Sequence, residues 1–251
     1  MQGVADNGRP WWPYLALSQA ETEPNFYHHA KRLLDVSICL AALIPLAPLF
    51  ALIAILIKLD NPGPAFFVQQ RIGAKRRQVR GEDPQWIVQI FPLYKFRTMR
   101  TDTDAKLHKD YMKAYISGDE QAIASLEPGV KSTTSYKLTG DPRVTRVGRF
   151  LRKTSLDELP QLWNVLIGDM SLVGPRPPIP YEVEMYSQEH LRRLSTIPGI
   201  TGLWQVSGRA ETTFEEMVEL DLEYIERKSI LLDCKILLRT LPAVISIRGA
   251  G

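Results

Sequence analysis

Residues 36–57, VSICLAALIPLAPLFALIAILI, decide the architecture, because no charged side chain interrupts them. About 22 such residues in a helix are long enough to cross the hydrocarbon core of a bilayer. Pro45 and Pro48 lie near the middle of the stretch. Each proline removes a backbone donor and clashes with the preceding turn, so a straight helix is not expected. The sequence therefore predicts a membrane helix that breaks at these prolines.

Basic residues flank the apolar stretch at both ends, and such residues mark the cytoplasmic side of a membrane segment. A re-entrant hairpin over residues 31–60, which enters and leaves by the same face, satisfies both the length and the flanks. A kinked spanning helix satisfies only the length. A buried core helix of this length and hydrophobicity would be unusual in a small soluble domain. The flanking residues are Lys31 and Arg32 before the stretch, and Lys58, Arg71, Lys75, Arg76, Arg77 and Arg80 after it.

The composition is that of an ordinary folded chain with a membrane segment. A formal net charge of +3 is too small to indicate nucleic-acid binding, although local basic clusters suit anionic headgroups or a phosphate-bearing substrate. Cys39 and Cys234 lie in apolar surroundings. We interpret them as buried, reduced thiols rather than as a disulfide, and no Cys/His spacing typical of zinc is present.

The remaining chain predicts one compact cytosolic catalytic domain, residues 61–251, with an interfacial or partly ordered extension over residues 1–30. Its fold is expected to be mainly α with a small β element, on which amphipathic interfacial helices pack. Residues 101–136 are polar and helix-compatible, and we interpret them as an insertion or lid. Strands are predicted at residues 65–70 and 86–99, and helices near residues 182–194, at 212–228 with a Thr213/Glu216 capping box, and at 230–247 as an amphipathic interfacial helix.

Two adjacent carboxylates, Asp157 and Glu158, lie in SLDEL, residues 155–159. Taken alone, this segment favours a structural interpretation, because Ser155 and Glu158 fit a capping box and acids are common in a first helical turn. Pro160 complicates that interpretation, since it would interrupt the hydrogen bonds of the first turns. The helix is then expected to start later or to bend, which favours a strained carboxylate site.

Basic side chains are concentrated around this pair, and guanidinium groups suit bidentate phosphate contact. Arg176 is the most specific candidate for phosphate contact, because prolines on both sides restrict its backbone conformation. In YKFRTM, residues 94–99, strand alternation would place Lys95 and Arg97 on one face as a phosphate cradle. The basic residues near the carboxylates, some of them expected to be surface charges only, are Arg143, Arg146, Arg149, Arg152, Lys153, Arg176 and Arg209.

Other candidate residues carry weaker signals. The segment PGITGLWQVSGR, residues 198–209, has the glycine and polar content of a substrate-facing loop. Trp163 and Trp204 are interpreted as core residues, and the four histidines, which show no paired spacing, receive no role. Carboxylates, arginines and a membrane segment together indicate phosphate transfer at a lipid surface. Mg²⁺ is the natural metal for it, because it binds carboxylates and phosphate oxygens together.

Four motifs occur in order: YKFRTM at residues 94–99, SLDELPQL at 155–162, GDMSLVGPRP at 168–177 and PGITG at 198–202. With the preceding apolar stretch, they make the chain resemble the bacterial monotopic phosphoglycosyl transferases from residue 31 to the C-terminus. The resemblance implies a magnesium-dependent enzyme on the cytoplasmic face of the bacterial inner membrane. It would move a sugar phosphate from a UDP-sugar to polyprenyl phosphate, the step that starts exopolysaccharide, capsule or O-antigen synthesis.

The resemblance also implies roles for individual residues. The family's nucleophile falls on Asp157, which would form a covalent aspartyl phosphosugar, release UMP and serve as a Mg²⁺ ligand. Glu158 matches the second acid of the dyad, and its role stays open between metal binding and help to the acceptor phosphate. The expected partners are a UDP-sugar, polyprenyl phosphate and membrane lipids but no nucleic acid, and a homo-oligomer is compatible with the sequence. Lys95, Arg152, Arg176 and Arg209 match positions near the substrate phosphates and nucleotide.

One departure from the family pattern concerns the break in the membrane helix. Pro48 aligns with the proline of a Ser-Pro pair, but Ala47 takes the place of the serine and removes a local hydrogen bond. Pro45 can offset this loss as a second interruption. Two other functions stay open: a non-catalytic membrane scaffold for glycan assembly, which the intact dyad disfavours, and a nucleotide-sugar hydrolase, which would not need a lipid acceptor.

Overall fold

The computed structural model describes residues 16–17, 25–77, 84–100, 106–126, 141, 143–207 and 212–245. Within these residues the fold is mainly helical with a small β component, as predicted. Of the extension predicted for residues 1–30, the structure describes 16–17 and 25–30, and the rest lies outside the described residues. The elements are β1 (Ala16–Leu17), α1 (Asn25–Asp60), β2 (Phe66–Arg77), β3 (Gln85–Phe96), α2 (Lys106–Ser117), α3 (Glu120–Leu126), α4 (Arg146–Lys153), α5 (Gln161–Ile167), β4 (Ser171–Val173), α6 (Pro180–Val183), α7 (Gln188–Leu191), β5 (Gly199–Thr201), α8 (Leu203–Ser207), α9 (Phe214–Arg227) and α10 (Ile230–Ile245), with 3₁₀ turns at Leu156–Glu158 and Arg192–Leu194.

Helix α1 is one element of 36 residues that continues through Pro45 and Pro48. The predicted division of this segment into two helices is therefore not present in the structure. A proline inside a helix can cause a local bend without ending the helix. Among the described residues, α1 is the one helix long and apolar enough to cross a membrane, and little of its apolar part is buried. That exposure is inconsistent with the alternative interpretation of this segment as a buried core helix. The re-entrant topology stays a prediction.

Both ends of α1 are attached to the same domain. Near its start, Arg32 donates to the carbonyls of Val165 and Leu166 at the end of α5. At its last residue, Asp60 accepts a hydrogen bond of 3.0 Å from the backbone N–H of Val147 in α4. The apolar helix also packs on the domain between these two ends, where Cys39, Ile53 and Ile57 are buried, while other side chains, such as Ile44 at 78% exposure, face away from the protein.

Helix α10 is held against the first half of α1 by buried polar groups. Lys31 forms an ion pair of 2.8 Å with Asp233, and both side chains are buried. The Tyr224 hydroxyl donates to the other carboxylate oxygen of Asp233 at 2.8 Å. Asp233 of α10 thus faces the protein, while Leu231 and Leu238 are exposed at 66% and 68%, and Lys235 and Arg239 are exposed as well. A helix is present where the sequence predicted one, and its amphipathic, interfacial character stays a prediction.

Strands β2 and β3 form an antiparallel pair in which Phe67 lies opposite Lys95. Pro92 lies within β3, and the Asn164 side chain of α5 donates to its carbonyl at 2.7 Å. The Asn164 amide oxygen accepts from the backbone N–H of Tyr94 at 3.1 Å. These two bonds tie α5, and the 3₁₀ turn just before it, to the strand that carries Lys95. In the smaller parallel pair, β4 lies beside β5.

Helices α2 and α3 fall within the predicted insertion, but their packing is that of core elements rather than of a lid. Tyr111 and Met112 are fully buried in a cluster with Trp204 and Phe214. The ring of Tyr115 contacts that of Phe214 edge-on at a centroid distance of 6.0 Å. Because these contacts reach the centre of the domain, removing α2 would expose the core.

Several local predictions can be compared directly with the structure. The capping box of α9 is confirmed: Thr213 Oγ1 accepts from the Glu216 N–H at 3.3 Å, and Glu216 accepts from the Thr213 N–H at 2.8 Å.

Trp204 is buried as predicted, whereas Trp163 is 53% exposed, so its assignment to the core was wrong. Trp163 lies on the outer face of α5, whose inner face is occupied by Leu162 and Val165. The two cysteines are free thiols.

Gly148 marks a close approach between α4 and the segment after β3. A Cβ atom at this position would lie 2.1 Å from the carbonyl oxygen of Thr98. We expect Gly148→Ala to destabilise the protein by roughly 1–3 kcal/mol, because backbone must shift to relieve the overlap. The unfolding midpoint in detergent measures this. Lys113→Ala, on the exposed face of α2, is the control, and equal midpoints for the two variants would contradict the prediction.

Candidate active site

The two carboxylates lie on a single 3₁₀ turn, Leu156–Glu158, and not on the first turn of an α-helix. Ser155, immediately before it, has φ 56° and ψ 15°, and its side chain makes no capping hydrogen bond. The capping-box interpretation was therefore wrong, because the left-handed backbone turns this serine away from the N–H groups that it would have to cap. Helix α5 begins only after Pro160, in agreement with the expected later start.

Ser155 is the one non-glycine residue with positive φ among the described residues. A left-handed conformation costs an L-residue about 1–2 kcal/mol, and such strain concentrates at functional sites. Leu156 and Leu159, on either side of the dyad, pack against Ile53 and Ile57 of α1. The strained turn is thereby held beside the second half of the apolar helix.

Asp157 is buried, with 9% of its surface exposed. Its neighbour Glu158 forms an ion pair with Arg176, with 3.2 Å between Oε1 and Nη1. The two partners expose only 15% and 14% of their side chains, so solvent screens the pair weakly. The proline-flanked arginine and the second carboxylate, which are 18 residues apart, thus meet in the structure, a pairing that the sequence analysis had not specified.

Lys95 lies in the electrostatic field of the same groups. Burial, together with the positive charges of Arg176 and Arg71, lowers the pKa of its ammonium group to about 7, although the carboxylates of Glu158 and Asp157 act in the opposite direction. An amine with such a pKa is partly neutral at physiological pH and takes up a proton when an anion binds beside it. Lys95 is therefore suited to contact a phosphate group.

The pKa of Lys95 leads to a pH prediction. We expect kcat/KM for the nucleotide sugar to fall as the pH rises above about 7, because a cationic Lys95 binds phosphate and its neutral form does not. The pH dependence of kcat/KM measures this. Lys95→Arg, which stays charged, should move the decline to higher pH, and Lys113→Arg on the exposed face of α2 is the control. An unmoved decline in Lys95→Arg would assign the titration to another group.

Arg152 approaches the dyad from α4. Its Nε donates to Thr98 Oγ1 at 3.1 Å, which aims the guanidinium group across the segment after β3. Burial lowers the pKa of Arg152, whereas the carboxylates of Asp157 and Asp141 act in the opposite direction. Asp141 itself forms an ion pair of 2.6 Å with Arg143. Arg152 therefore brings positive charge to Asp157, and Arg143 does so for Asp141.

The structure thus brings together Asp157, Glu158, Lys95, Arg152 and Arg176. Arg209 lies outside the described residues. Other predicted residues do not join the site. Arg97 donates to the carbonyls of Asn61 and Pro62 just after α1, so its place in a phosphate cradle was wrong, because these backbone carbonyls hold its guanidinium group. Arg146, Arg149 and Lys153 are exposed surface residues of α4.

Arg71 is a site residue that the sequence analysis treated only as a flanking charge. It is buried, and its Nη1 donates to the carbonyl of Pro177 at 2.8 Å, while Gln69 accepts from its Nη2 at 2.8 Å. Arg71 thereby positions the proline-rich segment that carries Arg176. The hairpin register could have revealed it, because Arg71 lies four residues beyond Phe67, on the strand face that also carries Lys95.

His108 of α2 also borders the site, although no histidine had been given a role. Its Nδ1 lies 2.6 Å from the hydroxyl of Tyr181 in α6. Burial and nearby cations together lower the pKa of its imidazole to about 4, so the ring is neutral at physiological pH. Nothing in the local sequence of α2 indicates this contact, which exists only once α2 has packed on α6. The cations are Arg71, Arg143, Lys95 and Arg152.

The acidic groups were compared with what Mg²⁺ requires. No group of three or more His, Cys, Asp or Glu side chains that could hold a metal ion is present in the described part of the chain. That fits Mg²⁺, which is usually held by one or two carboxylates together with substrate phosphates and water. Asp157 is a suitable ligand of this kind. Glu158 is already paired with Arg176.

Comparisons with known proteins agree on one family. The model of the family described as Bacterial sugar transferase matches residues 26–247. The chain is 43% identical over 227 residues to "Galactosyl transferase CpsE" of Streptococcus agalactiae, which covers 89% of this chain and 44% of that protein.

Two further relatives differ in how much of their length is matched. "Exopolysaccharide production protein ExoY" of Sinorhizobium fredii is 40% identical over 221 residues, with 88% of both chains covered. "Undecaprenyl-phosphate galactose phosphotransferase" of Salmonella typhimurium is 39% identical over 220 residues, with 88% of this chain and 41% of that protein covered. The chain thus corresponds to less than half of two of these relatives and to most of the third.

Proposed function

The chain belongs to the bacterial sugar transferase family, and from this premise we propose that it transfers a sugar phosphate from a UDP-sugar to a polyprenyl phosphate. The names of two relatives support the lipid acceptor, the sugar donor and the pathway, since one is called an undecaprenyl-phosphate galactose phosphotransferase and another an exopolysaccharide production protein. The observation that carries the proposal is the buried Asp157 beside the Glu158–Arg176 ion pair. The product would start a bacterial surface glycan.

Asp157 is the proposed nucleophile. One of its carboxylate oxygens attacks the phosphorus that bears the sugar, and the bond from that phosphorus to the bridging oxygen of UMP breaks. UMP leaves with the bonding electron pair, and the sugar phosphate stays on Asp157 as an acyl phosphate. An oxygen of polyprenyl phosphate then attacks the same phosphorus and releases the carboxylate. The sugar is carried by a new pyrophosphate on the lipid.

The basic residues permit this attack by an anion on an anion. Without cationic neighbours, the carboxylate and the pyrophosphate would repel each other in a site of low dielectric constant. Arg152 and Lys95 supply positive charge near Asp157, and Arg176 adds a planar group suited to two phosphate oxygens. Mg²⁺, which we propose as the cofactor with Asp157 as a ligand, would neutralise further charge on the pyrophosphate when bound.

The lipid acceptor requires a membrane, and α1 is the proposed anchor. We propose that it enters the inner membrane from the cytoplasmic face and returns to that face. Support comes from its two attachments to one domain, at Arg32 and at Asp60, since a straight spanning helix would carry one end away from the domain. Tags at Met1 and Gly251 should then both be inaccessible from the periplasm. A periplasmic N-terminal tag would instead indicate a spanning helix.

The decisive experiment measures UMP release by the purified protein in detergent with Mg²⁺ and a panel of UDP-sugars. Release that depends on added polyprenyl phosphate, with formation of a sugar-bearing lipid, supports the transferase. Release that is indifferent to the lipid would indicate a hydrolase. No release with any sugar would leave the scaffold as the better hypothesis. The same panel identifies the sugar.

A further inference from the structure

Helix α4 (Arg146–Lys153) carries a basic face that the proposed reaction does not use. Its inner side is formed by Val147, Gly148 and Leu151, and Val147 and Leu151 pack in one cluster with Ile53 of α1. The Arg152 side chain extends from this helix toward Thr98 and the dyad. At about 100° per residue, the other side chains fall within one arc roughly 100° wide. They are Arg146, Arg149, Phe150 and Lys153.

All four side chains of this arc are exposed. Phe150 exposes 61% of its surface between the basic residues. Asp60 lies close enough to Arg146 for the two charges to interact, whereas neither Arg149 nor Lys153 forms a salt bridge with any other residue that the structure describes. The arc therefore presents, next to a large exposed aromatic ring, two cations that no acidic side chain of the described residues pairs with.

The arc continues into the exposed apolar surface of α1. The first turn of α4 is bonded to the last residue of α1, since the Val147 N–H donates to Asp60 at 3.0 Å. Leu59, next to that residue, is 77% exposed, and Leu56, one turn earlier, is 43% exposed. The basic face thus begins where the apolar helix ends, as is usual for protein surfaces at the headgroup level of a bilayer.

We propose that the face formed by Arg149, Phe150 and Lys153 binds anionic phospholipid headgroups, with Phe150 reaching among the acyl chains. A purely solvated helix would gain nothing by exposing a phenylalanine between its cations, whereas a helix at an anionic surface uses both. The proposal rests on the membrane location given above for the enzyme. Because α4 carries Arg152, this binding places Arg152 and the adjacent dyad at the depth of the lipid phosphates.

The first test needs no turnover. The full chain is placed in nanodiscs of phosphatidylcholine alone or with about 30 mol% phosphatidylglycerol, and amide hydrogen exchange of residues 146–153 is measured. We expect slower exchange in the anionic discs for the wild type and no difference between discs for Arg149→Gln/Lys153→Gln. Lys113→Gln/Arg192→Gln, which removes the same charge from exposed positions on other helices, should keep the wild-type difference.

A second measurement follows UMP release at sub-saturating polyprenyl phosphate in the same discs. Phosphatidylglycerol should raise the wild-type rate by about fivefold or more, and neither Arg149→Gln/Lys153→Gln nor the wild type in 1 M NaCl should respond. Identical lipid dependence of exchange in the wild type and Arg149→Gln/Lys153→Gln would overturn the proposal. So would protection that requires added polyprenyl phosphate rather than phosphatidylglycerol. An inactive protein that still shows the exchange difference would refute only the proposed reaction.

Discussion

Asp157→Asn is expected to lower UMP release by roughly 10³–10⁶-fold, the range found when a covalent nucleophile is removed. The amide has the shape of the carboxylate but cannot form a stable bond to phosphorus. Because Asp157 is buried, with 9% exposure, we do not expect water from bulk solvent to take its place as the attacking group. With a donor labelled in the sugar-bearing phosphate and without acceptor, the wild type should retain label on the protein and Asp157→Asn should not.

The control for this experiment is Asp110→Asn, on the exposed side of α2. It should keep full turnover and full labelling. Asp157→Asn should also keep its membrane association and its unfolding midpoint within a few degrees of the wild type, which separates a chemical defect from misfolding. If Asp157→Asn retains turnover, or if the label stays on the protein, the nucleophile is another residue, and Glu158 is the first candidate.

The part of the fold that sequence predicted best is the part set by local patterns. Thr213 and Glu216 are three residues apart, so their capping box needs no tertiary information and forms as predicted. The apolar stretch of α1 was likewise evident from composition. Pro45 and Pro48 do not end α1, because each proline removes one backbone donor while the rest of a long helix keeps its hydrogen bonds.

The candidate site was predictable where residues lie in recognisable motifs and unpredictable where tertiary packing brings them. Asp157, Glu158 and Arg176 come from two motifs, and the structure joins them. His108 reaches the site only because α2 packs into the core, which a polar and helix-compatible segment did not indicate. Ser155 looked like an N-cap by residue type, but cap geometry depends on a backbone angle that residue type does not determine.

The second large effect is expected at Arg176. Arg176→Gln should lower kcat/KM by about 10²–10³-fold, the cost of removing one preorganised group that stabilises charge in a transition state. The variant loses phosphate contact and also leaves Glu158 without the partner that it has at 3.2 Å. Arg176→Lys should recover only part of the activity, because an ammonium group cannot reproduce the two parallel hydrogen bonds of a guanidinium group.

Glu158→Gln tells these two contributions apart. If Arg176 acts mainly by holding Glu158, the double variant Arg176→Gln/Glu158→Gln should be no worse than the poorer single variant; if Arg176 acts mainly on phosphate, the two losses should multiply. Arg192→Gln is the matched control, because Arg192 also pairs with a glutamate, at 3.5 Å, but with more than half of both side chains exposed. Such a pair contributes roughly 0–1 kcal/mol. Equal activity of Arg176→Gln and Arg192→Gln would place Arg176 outside the catalytic site, and Asp157 would then depend on Arg152 and Lys95 for its positive surroundings.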